Sequence, residues 1–141
     1  MEPDKVVIIV QNLSGQLFVH QRSADKKMFP LLYGLGAGGH VEPKESPTQA
    51  AKRELKEELN INSEVEALFN IKFKLDKIQH TIHVFKALYD GEIEKCREFR
   101  SSGWMDIEKV DHLAVSNKLC PDTKILYEKW KNEYLYRNSN S

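Results

Sequence analysis

Residues 38–61, GGHVEPKESPTQAAKRELKEELNI, hold a helix start, a helix stop and an unusual crowding of glutamates. Ser46 is a good N-cap, Pro47 suits the first helical position, and Gln49 completes a capping box in SPTQ. The spacing therefore predicts a helix over Pro47–Leu59. Ala51, Leu55 and Leu59 recur at four-residue steps as its core-facing stripe, and Asn60 suits a left-handed stop. Glu54, Glu57 and Glu58 are related by i+3 and i+4, so they share one face. At those helical spacings only Glu57 meets a base, Arg53; Glu54 and Glu58 meet none. Each like-charged pair costs roughly 0.2–0.5 kcal/mol. A solvated charged face is the plain explanation of such a run. The other is a divalent cation: hard oxygen ligands on one rigid face suit Mg²⁺ or Mn²⁺. Just upstream, residues 33–41 contain Gly34, Gly36, Gly38 and Gly39. Such backbone either turns sharply or lets a carbonyl and a phosphorylated ligand approach closely.

The rest of the chain bounds what that helix serves. Its 141 residues suffice for one domain with a real core, so a single domain over 1–136 with a disordered tail at 137–141 is expected. Lys and Arg number 21, as do Asp and Glu, which argues against a general nucleic-acid or anionic-membrane binder. The longest apolar run near the start, 6–10, is too short for a signal core or a membrane span. Cys96 and Cys120, outside any CxxC pattern, are expected to be reduced thiols of a cytoplasmic protein.

KVVIIVQ (5–11) reads as a strand buried on both faces, NLSG as a turn and QLFVHQR (16–22) as its hairpin partner. Residues 63–75 and 79–89 read as two more strands turning at 76–78, and 101–107 as a short strand ending in a brief helix around 107–112. Residues 120–136 read as an amphipathic helix with Ile125, Leu126, Trp130 and Tyr134 inward. The mixture is α/β, or α+β, layered as α/β/α around a mixed sheet. His80 and His83 differ by three in a strand, face opposite ways and make poor co-ligands. Phe18, Trp104 and Trp130 are read as core, while Tyr33, beside the glycines, is the better candidate to stack on a substrate ring.

Gly39, Glu45, the triplet Arg53-Glu54-Leu55, the pair Glu57-Glu58 and Ile61 together resemble the Nudix box, G-x5-E-x7-R-E-U-x-E-E-x-G-U with U a bulky aliphatic. Asn60 replaces the last glycine, and asparagine tolerates the same left-handed geometry. The resemblance implies a sandwich in which the box forms a loop–helix–loop, and hydrolysis of a diphosphate in a small molecule, typically a nucleoside diphosphate joined to another group. Within it, Glu57 and Glu58 are implied metal ligands, with Gly39 beside them. Glu54 would share a metal or act as base, and Arg53 would orient the carboxylates. Glu45 would reach the metal or support the loop. A base outside the box is also common in the family; Glu98 is the candidate, with Glu92 and Glu94 competing. Residues 17–46 also resemble isopentenyl-diphosphate isomerases, which implies that Arg22 and Lys26 hold phosphate and aligns His40 with a metal-binding histidine. The isomerase cysteine, however, is Gly38 here, so a hydrolase ranks above an isomerase. A non-catalytic ligand-binding module is the third reading, and it would be expected to have lost box carboxylates. A homodimer through the terminal helix remains open.

Overall fold

The computed structural model describes residues 4–94, 96 and 98–135; the expected tail at 137–141 lies outside them. The β-branched run forms strand β1 (Asp4–Gln11), followed by β2 (Leu17–Arg22), β3 (Tyr33–Leu35), β4 (Ala37–His40) and helix α1 (Pro47–Leu59). Strands β5 (Glu66–Leu75), β6 (Ile78–Leu88) and β7 (Phe99–Met105) come next, then helices α2 (Ile107–Val115) and α3 (Pro121–Trp130), and a π-helical turn at Lys131–Leu135. The seven strands form one mixed sheet, in which β1 runs parallel to β6 and antiparallel to β4.

Strand β1 is the spine because it is apolar on both faces. Val6, Ile8 and Val10 pack with Ala50, Ala51, Leu55 and Leu59 of α1. Ile9 packs on the other side with Val110 and Ala114 of α2 and Leu126, Tyr127 and Trp130 of α3. This is the expected α/β/α layering. Leu55 is wholly buried, and a buried leucine is worth about 1.5–3 kcal/mol. That outweighs the few tenths lost at each glutamate pair, so the acidic face does not threaten the helix.

Helix α1 has the bounds its caps predict. The Ser46 side chain accepts from the Gln49 amide while Gln49 accepts from the Ser46 amide, and Asn60 ends the helix at φ 56°. Ser46→Ala is expected to cost about 1 kcal/mol, read as a lowered urea midpoint at unchanged slope.

Several expectations need correction. The β1–β2 hairpin closes only at Gln11 and Leu17; beyond that pair the strands fork, and the glycine segment fills the fork as two short strands rather than a loop. Strand β3 pairs with β2 and β4 with β1. The chain switches partners at Gly36, whose φ is 53° and whose α-carbon faces the Ile8 carbonyl so closely that a Cβ would collide with it. The 63–75 strand starts later, at Glu66, and 101–107 is Phe99–Met105 with a longer helix behind it. Asp76 and Lys77 make the β5–β6 turn with both φ positive, the two-residue geometry that matches strand twist. The terminal helix stops at Trp130 and loosens into the π turn. Ile125 points outward at 43% exposure, because Tyr127 takes the inner position and its hydroxyl donates to Asp111 at 2.7 Å. Phe18 and Trp104 pack edge to face, with centroids 5.6 Å apart. Among the described residues no helix is long and apolar enough to cross a membrane, and both cysteines are free.

Candidate active site

Because β4 lies between β1 and the start of α1, the Gly38–Gly39 backbone runs against the acidic face of the helix. The Gly38 amide donates to Glu58 Oε1 at 2.7 Å. Any side chain at Gly39 would overlap the Glu54 carboxylate, so that position is glycine to admit Glu54. Glu54 and Glu58 are thus turned toward the sheet, while Glu57 stays in solvent with its side chain 58% exposed.

Arg53 ties the group together. Its Nε and Nη2 donate to the two Glu45 oxygens at 2.8 and 3.0 Å. Its Nη1 donates to Glu54 at 2.8 Å and Glu57 at 3.3 Å, and Nη2 also reaches the His40 carbonyl at 3.0 Å. Glu54 therefore does have a basic partner, contrary to the reading from helical spacing. A long guanidinium reaches its immediate sequence neighbour by folding across the face, which an i±3, i±4 rule does not register. Glu45, with both oxygens on Arg53, is placed to support the loop.

Electrostatics at this wall are uneven. Arg53 holds the Glu45 carboxyl below its ordinary range, and its own guanidinium is held more firmly protonated by Glu45 and Glu54. Burial pushes the Glu54 carboxyl up, against the opposing pull of Arg53. Burial likewise pushes Glu58 up to about 7, helped by the Glu54, Glu98 and Glu57 carboxylates and opposed by the Gly38 amide. An excess of carboxylate oxygen that raises its own proton affinity is the donor chemistry a hard divalent cation relieves. As the side chains stand, no three His, Cys, Asp or Glu groups among the described residues surround one metal position: Glu54 is taken up by Arg53 and Glu58 by Gly38.

Beside the wall opens a cavity of about 270 Å³ lined by Gly38, Gly39, Glu58 and Glu98 together with Arg22, Lys26 and His40. The structure thus brings Glu98, Arg22 and Lys26 to the same space as Glu58. Glu92 and Glu94 are exposed and outside the lining. Tyr33 is not brought there: it is partly buried against the α2–α3 side of the core, its amide and carbonyl bonded to Lys118 and Cys120.

Two further lining residues, Lys5 and His20, are not singled out in the sequence, and a third, His80, is read there only as a poor metal co-ligand. Lys5 left one trace, a lone charge opening an apolar strand. His20 stacks flat on Phe99 with centroids 3.9 Å apart, and its Nδ1 lies 2.9 Å from the Gly36 carbonyl, so the neutral ring donates from Nδ1. Burial lowers its pKa to about 4. Because the folded value lies below the unfolded one near 6.5, the unfolded chain takes a proton that the folded one refuses between those limits. His20 therefore leaves stability intact above pH 6.5 and erodes it as pH falls toward 4. Between pH 7 and 5 the loss from this group is about 2 kcal/mol, measured as the difference in urea stability that His20→Phe no longer shows.

Comparison with known proteins shows the family and the fold. A protein-family model described as NUDIX domain matches residues 1–126. An uncharacterized Nudix hydrolase of Nostoc sp. is 47% identical over 53 residues, 38% of this chain and 31% of that protein. A Nudix hydrolase of Deinococcus radiodurans is 33% identical over 57% of this chain and 47% of its own length. An uncharacterized Nudix hydrolase of Pseudomonas aeruginosa is 30% identical over 82% of this chain and 70% of its own. The chain thus spans less than half the length of the first two. Among solved structures, a MutT protein from Methanosarcina mazei superposes with TM-score 0.78 at 21% identity, covering 94% of each chain. The NUDIX domain of Shewanella oneidensis NrtR, complexed with ADP ribose, gives 0.76 at 18% over 94% of this chain and 88% of that one. A bifunctional NMN adenylyltransferase/ADP ribose pyrophosphatase from Francisella tularensis, complexed with AMP and a manganese ion, gives 0.72 at 20%, covering 94% and 42%. At these identities the structural likenesses concern the fold.

Proposed function

We propose that this chain, which belongs to the NUDIX family, hydrolyses a diphosphate linkage in a small molecule, a nucleoside diphosphate derivative or a related diphosphate, with the help of a divalent cation. The observation that carries the reading is the convergence of Glu58, Glu98 and the Gly38–Gly39 backbone on one cavity that also presents Arg22 and Lys26. A solvated charged face would have left Glu54 and Glu58 in bulk water; both instead turn against the sheet. The ADP ribose of one structural neighbour is a nucleoside diphosphate derivative of the proposed class, and the AMP of another is a nucleoside monophosphate such as its hydrolysis would release.

The chemistry follows from charge. A diphosphate is anionic at both phosphorus atoms and repels a nucleophile, so catalysis is mostly positioning and charge compensation. Arg22 and Lys26 supply fixed positive charge to the phosphate oxygens; Lys26 donates from a flexible ammonium, whereas Arg22 already spends its Nε on the Met28 carbonyl at 3.0 Å and has its two terminal nitrogens to offer. Glu57, Glu58 and Glu54 would hold Mg²⁺ or Mn²⁺ with the Gly39 backbone beside them. Such an ion would supply a water of lowered pKa and neutralise phosphate charge. Glu98, which lines the same cavity as Glu58, would take a proton from attacking water, with Glu54 as the competing base. Arg53 and Glu45 hold the acidic group together before substrate arrives, and Glu54 and Glu58 would turn from Arg53 and the Gly38 amide toward the ion as it binds. Gly38, where an isomerase would carry its cysteine, has no room for one: a Cβ would press on the Val6 carbonyl.

The test is release of phosphate or phosphomonoester from a panel of nucleotide sugars, dinucleotides, oxidised nucleotides and non-nucleotide diphosphates with Mg²⁺ and Mn²⁺. Turnover that stops with chelator and returns with metal is expected. No turnover across the panel would favour a ligand-binding module, and conversion of isopentenyl diphosphate an isomerase.

A further inference from the structure

The cavity is rich in charge. Besides Glu58, Glu98, Asp122, Arg22 and Lys26, its lining carries Lys5, His40 and His80. Register explains how three residues from distant parts of the chain meet. Lys5 lies directly opposite His40 across β1–β4 and directly opposite Ile82 across β1–β6. His80 precedes Ile82 by two residues, so all three side chains leave the same face of the sheet. Among the described residues no carboxylate pairs with Lys5. His80 carries a second unsettled feature: its Nδ1 is buried with no hydrogen-bond partner, in a ring that lines the cavity.

An anion would complete this arrangement. We propose that Lys5, His40 and His80 form a subsite for a phosphate group of the substrate other than the one attacked beside Glu58. His40 lies two residues along β4 from Gly38, roughly 7 Å by strand rise, so the basic floor sits apart from the carboxylate wall. The substrate class is then a diphosphate that carries an additional phosphate on the part reaching down the sheet. The subsite rests on the hydrolase reading for its biological meaning, but its anion affinity can be measured without turnover.

Two experiments decide it. In metal-free wild-type protein, inorganic phosphate is titrated while the imidazole resonances of His40 and His80 are followed by NMR. Both are expected to shift saturably, with an affinity that weakens in Lys5→Met and at higher ionic strength. Unmoved rings overturn the subsite, whatever the enzyme hydrolyses. In the metal-loaded enzyme, kcat/KM is compared for a nucleoside diphosphate sugar with and without a monophosphate on its nucleoside ribose. The phosphorylated substrate is expected to be preferred at least tenfold, and Lys5→Met and His80→Phe to bring that ratio close to one. A wild-type ratio near one, or a ratio the variants leave unchanged, overturns the proposal. Phosphate binding with no turnover of any member of the diphosphate panel would sink the hydrolase reading and leave the subsite standing.

Discussion

Glu58→Gln is expected to reduce turnover on the order of a thousandfold while making the metal-free protein more stable rather than less. The glutamine can still accept the Gly38 amide that now reaches Glu58 Oε1 at 2.7 Å, so the local backbone keeps its partner. What disappears is one negative charge from a half-buried group surrounded by Glu54, Glu57 and Glu98, whose repulsion and burial already push the carboxyl up to about 7. Removing a charge that burial penalises gains on the order of 1 kcal/mol after allowance for solvent. The same charge would be the strongest reason for a cation to bind there. The measurement pairs kcat at saturating Mg²⁺ with urea unfolding in chelator. A variant that is both slower and less stable would mean that Glu58 is a structural group; one that retains activity would remove it from the metal site. Glu57→Gln separates the two roles further. That side chain is exposed and contributes little to stability, so its loss is expected in activity and in Mn²⁺ affinity alone.

The largest structural effect belongs to Gly36. Gly36→Ala is expected to cost on the order of 3–5 kcal/mol, a large share of the roughly 5–15 typical of a domain. Two penalties add: the left-handed φ of 53°, which alone costs an alanine about a kilocalorie, and the collision of the new Cβ with the Ile8 carbonyl. The collision is the larger, and Gly36→Asn tells them apart. Asparagine accepts left-handed backbone, as Asn60 does at φ 56°, yet it carries the same Cβ and is expected to be as damaging as alanine. A Gly36→Asn protein close to wild type in urea stability would show that conformation rather than contact dictates glycine there. Activity should fall with stability, because the switch at Gly36 is what sets β4, and with it Gly38 and Gly39, against α1.

How much of this is legible in the sequence depends on range. The capping box, the buried stripe and the asparagine stop of α1 are interactions within a few residues of one another, and the helix has the bounds they imply. The double burial of β1 is legible because a strand with no polar face must be covered twice. The hairpin reading fails beyond Gln11 and Leu17 because nothing local says that a later segment will enter the fork. Tyr33 stands beside the glycines in sequence, whereas its backbone is bonded to Lys118 and Cys120 and its ring faces the other side of the core. Glu98 ranks ahead of the competing Glu92 and Glu94 in sequence because a strand follows it, and its place at the start of β7 puts it, and not the other two, in the cavity lining.

From the sequence alone came the identity of the helix, the sharing of one face by three glutamates, and the Nudix resemblance that the family match bears out, since each depends on spacing along a single chain segment. Only the tertiary structure decided which carboxylates turn inward, that Arg53 grips Glu45 and Glu54, and that Lys5, His40 and His80 share a floor. The reason is that sheet pairing between strands far apart in sequence is chosen by the fit of whole faces, a sum over many residues that no one segment contains.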